Sequence, residues 1–349
     1  MRRKRILFVA KYPMHYIMFR SVHEALRQDD RVQVKVLARM YGSTNDRALT
    51  AELGLDRRDL VGELRARHGR FDAVIAADYF AWNSHGAPKI QIFHGCSFKN
   101  AAIHEKALEW DHLFTIGPYM RRQFVEAGLF GADDPSLRLI GMPKLDRLAH
   151  GGATASEREA FLARHGLAPD KPMLLYAPTC HEHESSLGTF GCDLVSEIAS
   201  RGSHNLLIKL HDHSLDVRYN ERDWRAWRDE VCRAPGVAAF AGRDVTDALA
   251  VTDLLISDAS SVAYEYAVRD RPIVFLETAI ERPRSDLETF GRSIGLVARS
   301  VAVALAAIDR ALADPAELSQ LRSALVAEIF HQPGNATRNA IEAIGEVVT

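Results

Sequence analysis

The sequence predicts an α/β protein built from two doubly wound domains, and three observations lead to that prediction. Short apolar runs alternate with longer helical patterns along most of the 349 residues, as expected for repeated βα units around parallel sheets. The chain is also longer than the roughly 250–300 residues at which single hydrophobic cores stop growing. Finally, a stretch of glycine and other small residues at 149–156 separates two blocks of the pattern and suits a linker or hinge.

The first block predicts a domain over residues 1–150. Its apolar runs read as strands and two longer amphipathic patterns read as helices. The strands are Ile6–Ala10, Val32–Leu37, Ala73–Ala76, Ile90–Phe93 and Leu113–Ile116, and the helices are His15–Arg27 and Pro118–Ala127.

The second block predicts a domain over residues 151–334. Its strands are Met173–Tyr176, Leu206–Leu210, Val237–Ala241, Leu254–Ser257 and Ile273–Leu276. After Val301 the pattern is helical throughout, and we expect the last helical segment, residues 335–349, to pack back onto the first domain.

Composition excludes several classes of protein. Lys and Arg number 44 against 46 Asp and Glu, a net charge of -2, which argues against a nucleic-acid partner. No apolar run reaches the roughly 18 residues that a membrane span requires. Four cysteines lack metal-binding spacing, which favours structural thiols in a reduced, cytoplasmic setting. Basic residues 2–5 would suit peripheral contact with the anionic inner membrane surface, or simply a solvated start.

The strongest chemical signal lies in residues 253–272. A predicted strand ends at Ser257, and a helix is expected to begin near the serine pair Ser260 and Ser261. A helix start flanked by hydroxyl groups offers several hydrogen-bond donors to an anion, which predicts a diphosphate site that includes Asp258. The alternative is that Asp258 and Ser260 only cap the helix.

Other residues of the second domain extend this site. Thr179 follows a predicted strand and can donate to the same phosphates, and Glu265 could accept hydrogen bonds from ribose hydroxyls or be a solvated helix residue. An apolar strand delivers Lys209 and His211 to its carboxyl end, where an imidazole N–H could bind a phosphate oxygen. Together with the run His181-Glu182-His183-Glu184, the segment around His211 could instead suggest a metal site. The spacing of these residues is not a recognised zinc pattern.

The first domain contributes candidates for acid–base chemistry. His94 ends an apolar strand, and Gly95 permits a sharp departure toward Lys99, so we predict His94 as a general base. The alternative is a structural hydrogen-bonding histidine. In the turn before the linker, Lys144 or Asp146 is expected to face an interdomain cleft, with a plain helix start capped by the aspartate as the competing interpretation.

Taken in order, these motifs resemble the CDP-glycerol glycerophosphotransferase family, which comprises teichoic-acid and capsule polymer enzymes. The resemblance implies a GT-B fold with two Rossmann-like doubly wound domains facing a cleft. The motifs are Phe93-His94-Gly95, Gly141-x-Pro143-Lys144-x-Asp146, Leu175-Tyr176-Ala177-Pro178-Thr179, Ile208-Lys209-Leu210-His211 and the segment from Asp253 to Val262.

The resemblance also implies roles and a reaction. His94 would be the general base on the acceptor hydroxyl, His211 would contact the donor pyrophosphate, and Thr179, Ser260 and Ser261 would hold the diphosphate without an obligatory metal. The expected reaction moves a polyol phosphate, such as glycerol phosphate, from a CDP-linked donor to a hydroxyl of a cell-surface glycan or lipid-linked acceptor. CMP would be released in the cytoplasm or at the cytoplasmic face of the membrane.

Departures from the family pattern keep alternatives open. Residues 96–98 differ on the acceptor side, Asp212 replaces a proline, Ala259 replaces an aromatic residue and Glu265 replaces an aspartate. A GT-B glycosyltransferase that uses a CDP- or UDP-sugar is therefore one alternative. A non-catalytic nucleotide-binding protein is another.

Overall fold

The computed structural model describes residues 2–39, 45–80, 85–95, 102–180, 185–216, 222–258, 260–278 and 291–348. The chain divides into two compact units. The first comprises Met1–Asp146 with Ala327–Thr349, and the second comprises Arg147–Val326. Among the helices that the structure describes, none combines the length and apolar character needed to cross a membrane.

The first unit is built around a parallel sheet of six strands. They are β1 (Lys4–Ala10), β2 (Val32–Ala38), β3 (Ala73–Ala76), β4 (Lys89–Ile92), β5 (His112–Thr115) and β6 (Leu137–Leu139). Their order is β2-β1-β3-β4-β5-β6, so the winding direction reverses between β1 and β3. Ile6 of β1 is in register with Val34 on one side and Ala73 on the other. Such a reversal is where open parallel sheets bind their ligands.

The longest described helix of this unit begins at a recognisable signal, a proline. The helix α1 (Pro13–Arg27) starts with a proline in its first turn and buries most of one face. The others are α2 (Arg47–Glu52), α3 (Glu63–His68), α4 (Pro118–Glu126) and, from the returning end of the chain, α13 (Ala336–Val347).

The second unit repeats the architecture. Its strands are β7 (Met173–Tyr176), β8 (Asn205–Ile208), β9 (Val237–Ala239), β10 (Leu254–Ser257), β11 (Ile273–Leu276) and β12 (Leu296–Ala298), in the order β12-β11-β10-β7-β8-β9. The winding reverses between β7 and β10. Its helices include α6 (Ala155–Arg164), α7 (Cys192–Arg201), α8 (Trp224–Val231), α9 (Thr246–Val251), α10 (Val262–Ala267) and α11 (Val301–Ala313). Two helices span the divisions between the units, α5 (Asp146–Ala149) and α12 (Ser319–Ile329).

The predicted fold class, two doubly wound α/β domains, is confirmed. All ten predicted strands are present, whereas the three-residue strands β6 and β12 were not predicted. The first division falls after Asp146 rather than at residue 150, and the returning segment starts at Ala327 rather than 335.

Two glycines explain how the returning segment packs on the first unit. A Cβ on Gly117 would collide with the backbone carbonyl of Ile329. Gly141 has a φ of +94°, and its Cβ would lie 2.8 Å from that of Ala336. The His331 amide donates to the Ile116 carbonyl at 2.8 Å, which ties the segment to the end of β5. Side chains larger than hydrogen at these two positions would push the segment away.

Asp146 serves this same packing, which gives it a capping role, as in the competing interpretation, but toward a distant helix; its place in a cleft stays a prediction. Its carboxylate accepts hydrogen bonds from the amides of Ala336 at 3.0 Å and Thr337 at 2.8 Å. Those amides belong to the first turn of α13, whose own N-cap residue, Asn335, makes no side-chain capping bond. The aspartate therefore caps a helix 190 residues away in the sequence.

Candidate functional site

The carboxyl ends of β7, β8 and β10 gather the predicted donor-site residues of the second unit. β10 and β8 both pair with β7, so the segments that follow these strands lie side by side. Thr179 comes after β7, His211 after β8, and Ser260 and Ser261 after β10. The structure thus brings together residues that lie as much as 82 positions apart at the point where the sheet reverses.

Asp258 organises this region from within. It is only 3% exposed. One carboxylate oxygen accepts from the Thr179 amide at 2.8 Å, and the other accepts from both the amide and the hydroxyl of Ser186, each at 2.8 Å. Both oxygens are thus engaged by the protein, so the geometry favours a positioning role for Asp258 over the direct phosphate contact we predicted.

The serine pair lies at the start of α10 without capping it strongly. Ser261 occupies the N-cap position and makes no side-chain capping bond, while the Ser260 hydroxyl is 3.5 Å from the Val262 amide. Asp258 is turned toward Thr179 instead of the helix, so the alternative that Asp258 and Ser260 only cap α10 does not fit. Because α10 has six residues, the anion-binding capacity of this turn comes mainly from its amides and hydroxyls.

Glu265 lies within α10 and is 7% exposed. The alternative of a solvated helix residue is therefore wrong. Its contact with a ribose remains a prediction.

His211 is held in one tautomer by a local hydrogen bond. Its Nδ1 accepts from the His213 amide at 3.1 Å, so in the neutral ring the proton resides on Nε2. The ring is exposed, and Nε2–H is a donor of the kind that a phosphate oxygen accepts.

Lys209 is directed toward its own loop. Its ammonium donates to the Leu210 carbonyl at 2.9 Å and lies 3.9 Å from a carboxylate oxygen of Asp212. Burial lowers the pKa of this side chain below the usual lysine value. The lysine thus stabilises the turn that carries His211.

A potential metal-ligand group also lies here. Ligand atoms of Cys180, His211 and His213 are within 4.8 Å of one another. Residues 181–184, which the sequence offers as further ligands, lie outside the described residues. The Nδ1 lone pair of His211 is already used and its Nε2 carries the proton, which favours anion binding over metal ligation for this ring.

In the first unit, His94 has the geometry of a general base. Its Nδ1 lies 2.6 Å from the Ala77 carbonyl oxygen and donates its proton there, which leaves the lone pair on Nε2. The side chain is exposed at the end of β4. Lys99 lies outside the described residues, and Lys144 is half-buried in the turn Pro143–Leu145.

Sequence reasoning assigned no function to four residues around His94. Lys11 follows β1, His15 lies in the first turn of α1, Asp78 follows β3, and Gln91 is buried within β4. The Lys11 ammonium lies 3.4 Å from Asp78, and the His15 ring centre lies 5.3 Å from that of His94. The positions of Lys11 and Asp78 after the two strands at the reversal, β1 and β3, could have pointed to this cluster.

The basic N-terminal residues contact their own unit. Arg2 donates to Asp72 at 2.6 Å, and Arg5 donates to the Arg70 carbonyl at 2.8 Å and stacks over Phe71. Arg3 lies 3.6 Å from a carboxylate oxygen of Asp30. Three of the four cations at positions 2–5 that could suit a membrane surface thus contact their own unit.

Comparison with known proteins agrees with this arrangement. Residues 80–290 match the profile of a family described as CDP-glycerol:poly(glycerophosphate) glycerophosphotransferase. The chain is 30% identical over 159 residues to a teichoic acid glycerol-phosphate primase of Bacillus spizizenii, across 45% of this chain and 36% of that protein. It is 24% identical over 192 residues to a teichoic acid glycerol-phosphate transferase of Staphylococcus aureus, across 53% and 46% of the two chains. The matched regions thus span less than half of these relatives.

Solved structures share the fold. The wall teichoic acid polymerase TagF aligns with a TM-score of 0.67 at 15% identity, over 99% of this chain and 88% of that one. A UDP-GlcNAc 2-epimerase from Neisseria meningitidis aligns with a TM-score of 0.64 at 12% identity, over 98% and 100%. At these identities the likeness shows the fold alone.

Proposed function

The chain belongs to the CDP-glycerol:poly(glycerophosphate) glycerophosphotransferase family, and on that premise we propose that it transfers a polyol phosphate from a CDP-linked donor to a hydroxyl group of a glycan or lipid-linked acceptor, releasing CMP. The observation that carries this proposal is the convergence of Thr179, His211 and the serine pair at the carboxyl ends of β7, β8 and β10. This convergence lies within the segment that matches the family. A TagF variant has been solved after soaking with CDPG, which supports the same class of donor here.

The donor diphosphate binds the second unit in this proposal. Hydroxyl groups of Thr179, Ser260 and Ser261 donate to its oxygens, and the Nε2–H of His211 adds a fourth donor. Buried Asp258 holds the Thr179 segment in place through the 2.8 Å bond to its amide. Donors fixed in this way need little rearrangement when negative charge develops on the leaving group. Glu265 accepts hydrogen bonds from the ribose.

His94 supplies the base. The acceptor hydroxyl gives its proton to Nε2 while its oxygen forms a bond to the β-phosphorus, which carries the polyol. The bond between that phosphorus and the bridging oxygen breaks, and CMP leaves with the electron pair. The Ala77 carbonyl accepts a hydrogen bond from Nδ1–H of His94 and so stabilises the imidazolium that forms.

Donor choice is tested by incubating the protein with CDP-glycerol, CDP-ribitol and UDP-N-acetylglucosamine in turn, with octyl glyceryl ether as a soluble acceptor. Chromatography then measures nucleotide release. We expect CMP from a CDP-polyol. Release of UDP alone would indicate a glycosyltransferase and overturn the proposal, and release from no donor would favour a non-catalytic nucleotide-binding protein.

Substitutions distinguish the proposed base, His94, from the residues proposed to bind the donor diphosphate. His94→Ala should abolish transfer while CDP-glycerol affinity, measured by calorimetry, stays near the wild-type value. Ser260→Ala and Ser261→Ala should each weaken donor binding about tenfold, the value of one hydrogen bond to a charged group. Ser156→Ala, on an exposed serine of α6, is the matched control. Near-normal turnover in His94→Ala contradicts the assignment of the base.

The proposal includes peripheral attachment at the cytoplasmic face of the membrane, where a lipid-linked acceptor would be found. Sedimentation with phosphatidylglycerol vesicles, against phosphatidylcholine vesicles, tests it. Equal recovery in the supernatant with both would remove this part of the proposal.

A further inference from the structure

The reversal point of the first sheet carries a polar cluster to which we have given no role so far. β1 and β3 are neighbours, and the residues that follow them, Lys11 and Asp78, form an ion pair with Nζ 3.4 Å from Oδ2. Each side chain is 33% exposed. The pair is adjacent to His94, because the His94 ring is hydrogen-bonded to the carbonyl of Ala77, the residue before Asp78.

A rigid backbone holds this pair in place. Gln91, 1% exposed, reaches from β4 to Asp78. With its amide oriented to satisfy both groups, its oxygen accepts from the Asp78 amide at 2.9 Å and its nitrogen donates to the Asp78 carbonyl at 3.2 Å. A second oxygen of the Asp78 carboxylate accepts from the Tyr79 amide at 2.8 Å. The segment that carries both Asp78 and the His94 partner is thus preorganised.

The cluster has no net charge. Lys11 contributes one positive charge and Asp78 one negative charge. His15, 3% exposed, accepts from the Lys11 amide at 3.3 Å, and burial, together with the neighbouring His94, lowers its pKa to about 4. It is therefore neutral at physiological pH. An anion would have to compete with Asp78 for the lysine, whereas a hydroxyl group can donate to the carboxylate and accept from the ammonium.

Aromatic rings complete the surroundings. Tyr12 is 48% exposed, and the Lys11 ammonium lies 5.9 Å from its ring centre and 5.7 Å from that of Phe80. A half-exposed aromatic ring beside a donor–acceptor pair matches a ligand with an apolar carbon–hydrogen face and a hydroxyl edge. Sugars and polyols have that form.

We propose that Lys11 and Asp78, with Tyr12 as a stacking surface, bind the acceptor through the hydroxyl groups of an uncharged sugar or polyol terminus beside His94. This inference rests on the proposed function, which it extends by naming the acceptor class and the residues that select it.

Two probes with the same alkyl chain test the site independently of turnover. Octyl glyceryl ether carries a neutral diol, and octyl phosphate carries an anion. Their binding is measured by saturation-transfer NMR with wild-type protein, Lys11→Met, Asp78→Asn and the control Asp72→Asn. Asp72 lies at the opposite end of β3 and pairs with Arg2.

We expect both site variants to weaken diol binding about tenfold or more, with the control unchanged. Asp78→Asn should at the same time strengthen octyl phosphate binding, because it leaves the lysine charge unbalanced; a purely structural role would not produce this reversal. Diol binding that is unchanged in both variants would overturn the inference. It would also be overturned if the wild-type protein preferred octyl phosphate to the diol and Lys11→Met removed that preference. Donor turnover bears only on the proposed function, so the proposed function and the inference about the acceptor site can fail separately.

Discussion

Replacing Asp258 by asparagine is expected to perturb the proposed donor site through one buried group. The carboxylate accepts from the amides of Thr179 and Ser186 and from the Ser186 hydroxyl. Asparagine keeps one oxygen for Thr179 but turns an NH₂ group toward the Ser186 amide. That amide then has no acceptor, whereas the Ser186 hydroxyl can rotate because it also contacts the Tyr176 hydroxyl at 2.8 Å.

The expected loss of stability in Asp258→Asn follows from these contacts. An unsatisfied buried amide costs about 1–3 kcal/mol, and changing the acceptor of Thr179 from charged to neutral costs about 1 kcal/mol more. The free energy of unfolding should therefore fall by about 2–4 kcal/mol. Since the Thr179 segment loses its fixed position, CDP-glycerol affinity should fall about tenfold to a hundredfold.

Asp253→Asn is a matched control at the other end of β10. Asp253 also accepts a backbone amide of the neighbouring strand, that of Met173 at 2.8 Å, and pairs with Arg158 at 2.6 Å. It should lower stability without changing donor affinity. Urea denaturation measures the first quantity, and calorimetry at a temperature where both variants are folded measures the second. Wild-type affinity in Asp258→Asn would refute the positioning role.

Three further predictions concern the first unit. Burial lowers the pKa of His23 to about 4, so the unfolded chain binds a proton near pH 6.5 that the folded unit does not. The free energy of unfolding should fall by up to about 3 kcal/mol between pH 6.5 and 4 from this group, and His23→Gln should make the slope in urea titrations shallower; an identical slope would contradict this. Gly141→Ala should cost about 2–5 kcal/mol in thermal denaturation, since φ is +94° and the Cβ has no room, whereas Gly128→Ala, at φ +69° in open space, should cost about 1 kcal/mol. Asp146→Ala should cost about 1–2 kcal/mol and speed hydrogen exchange in the first turn of α13; unchanged exchange would argue against the cap.

Much of the fold could be predicted because buried parallel strands have a strong apolar signal. The strands β7, β10 and β11 begin and end at the predicted residues, and every residue in them is buried. The strands β6 and β12 lie at sheet edges, contain three residues each and are partly exposed. The strand β9 is equally short and also lies at an edge, but two of its three residues are buried. In β6 and β12 only one residue of three is buried, which leaves too weak an apolar signal to detect.

The candidate site also contains a part that could be predicted from the sequence and a part that could not. Residues within three positions of a strand end, such as His94 after β4 and His211 after β8, could be proposed because parallel strands present their carboxyl ends at one edge. The partners of Asp258 and Asp146 could not, because those bonds join residues 79 and 190 positions apart. Sequence spacing holds no information about such pairs. Burial of Glu265 likewise depends on how α10 packs.

The return of the chain at Ala327 makes the second unit an insertion within the first. Residues 147–326 form one uninterrupted stretch, whereas the first unit needs two separate pieces of chain. During synthesis the helix that Asp146 caps, and the backbone that Gly117 and Gly141 accommodate, emerge only after the whole second unit. The second unit can therefore complete its contacts while the first still lacks part of its surface. A fragment that stops before residue 327 would expose that surface, and residues 147–326 are the natural limits for expressing the second unit by itself.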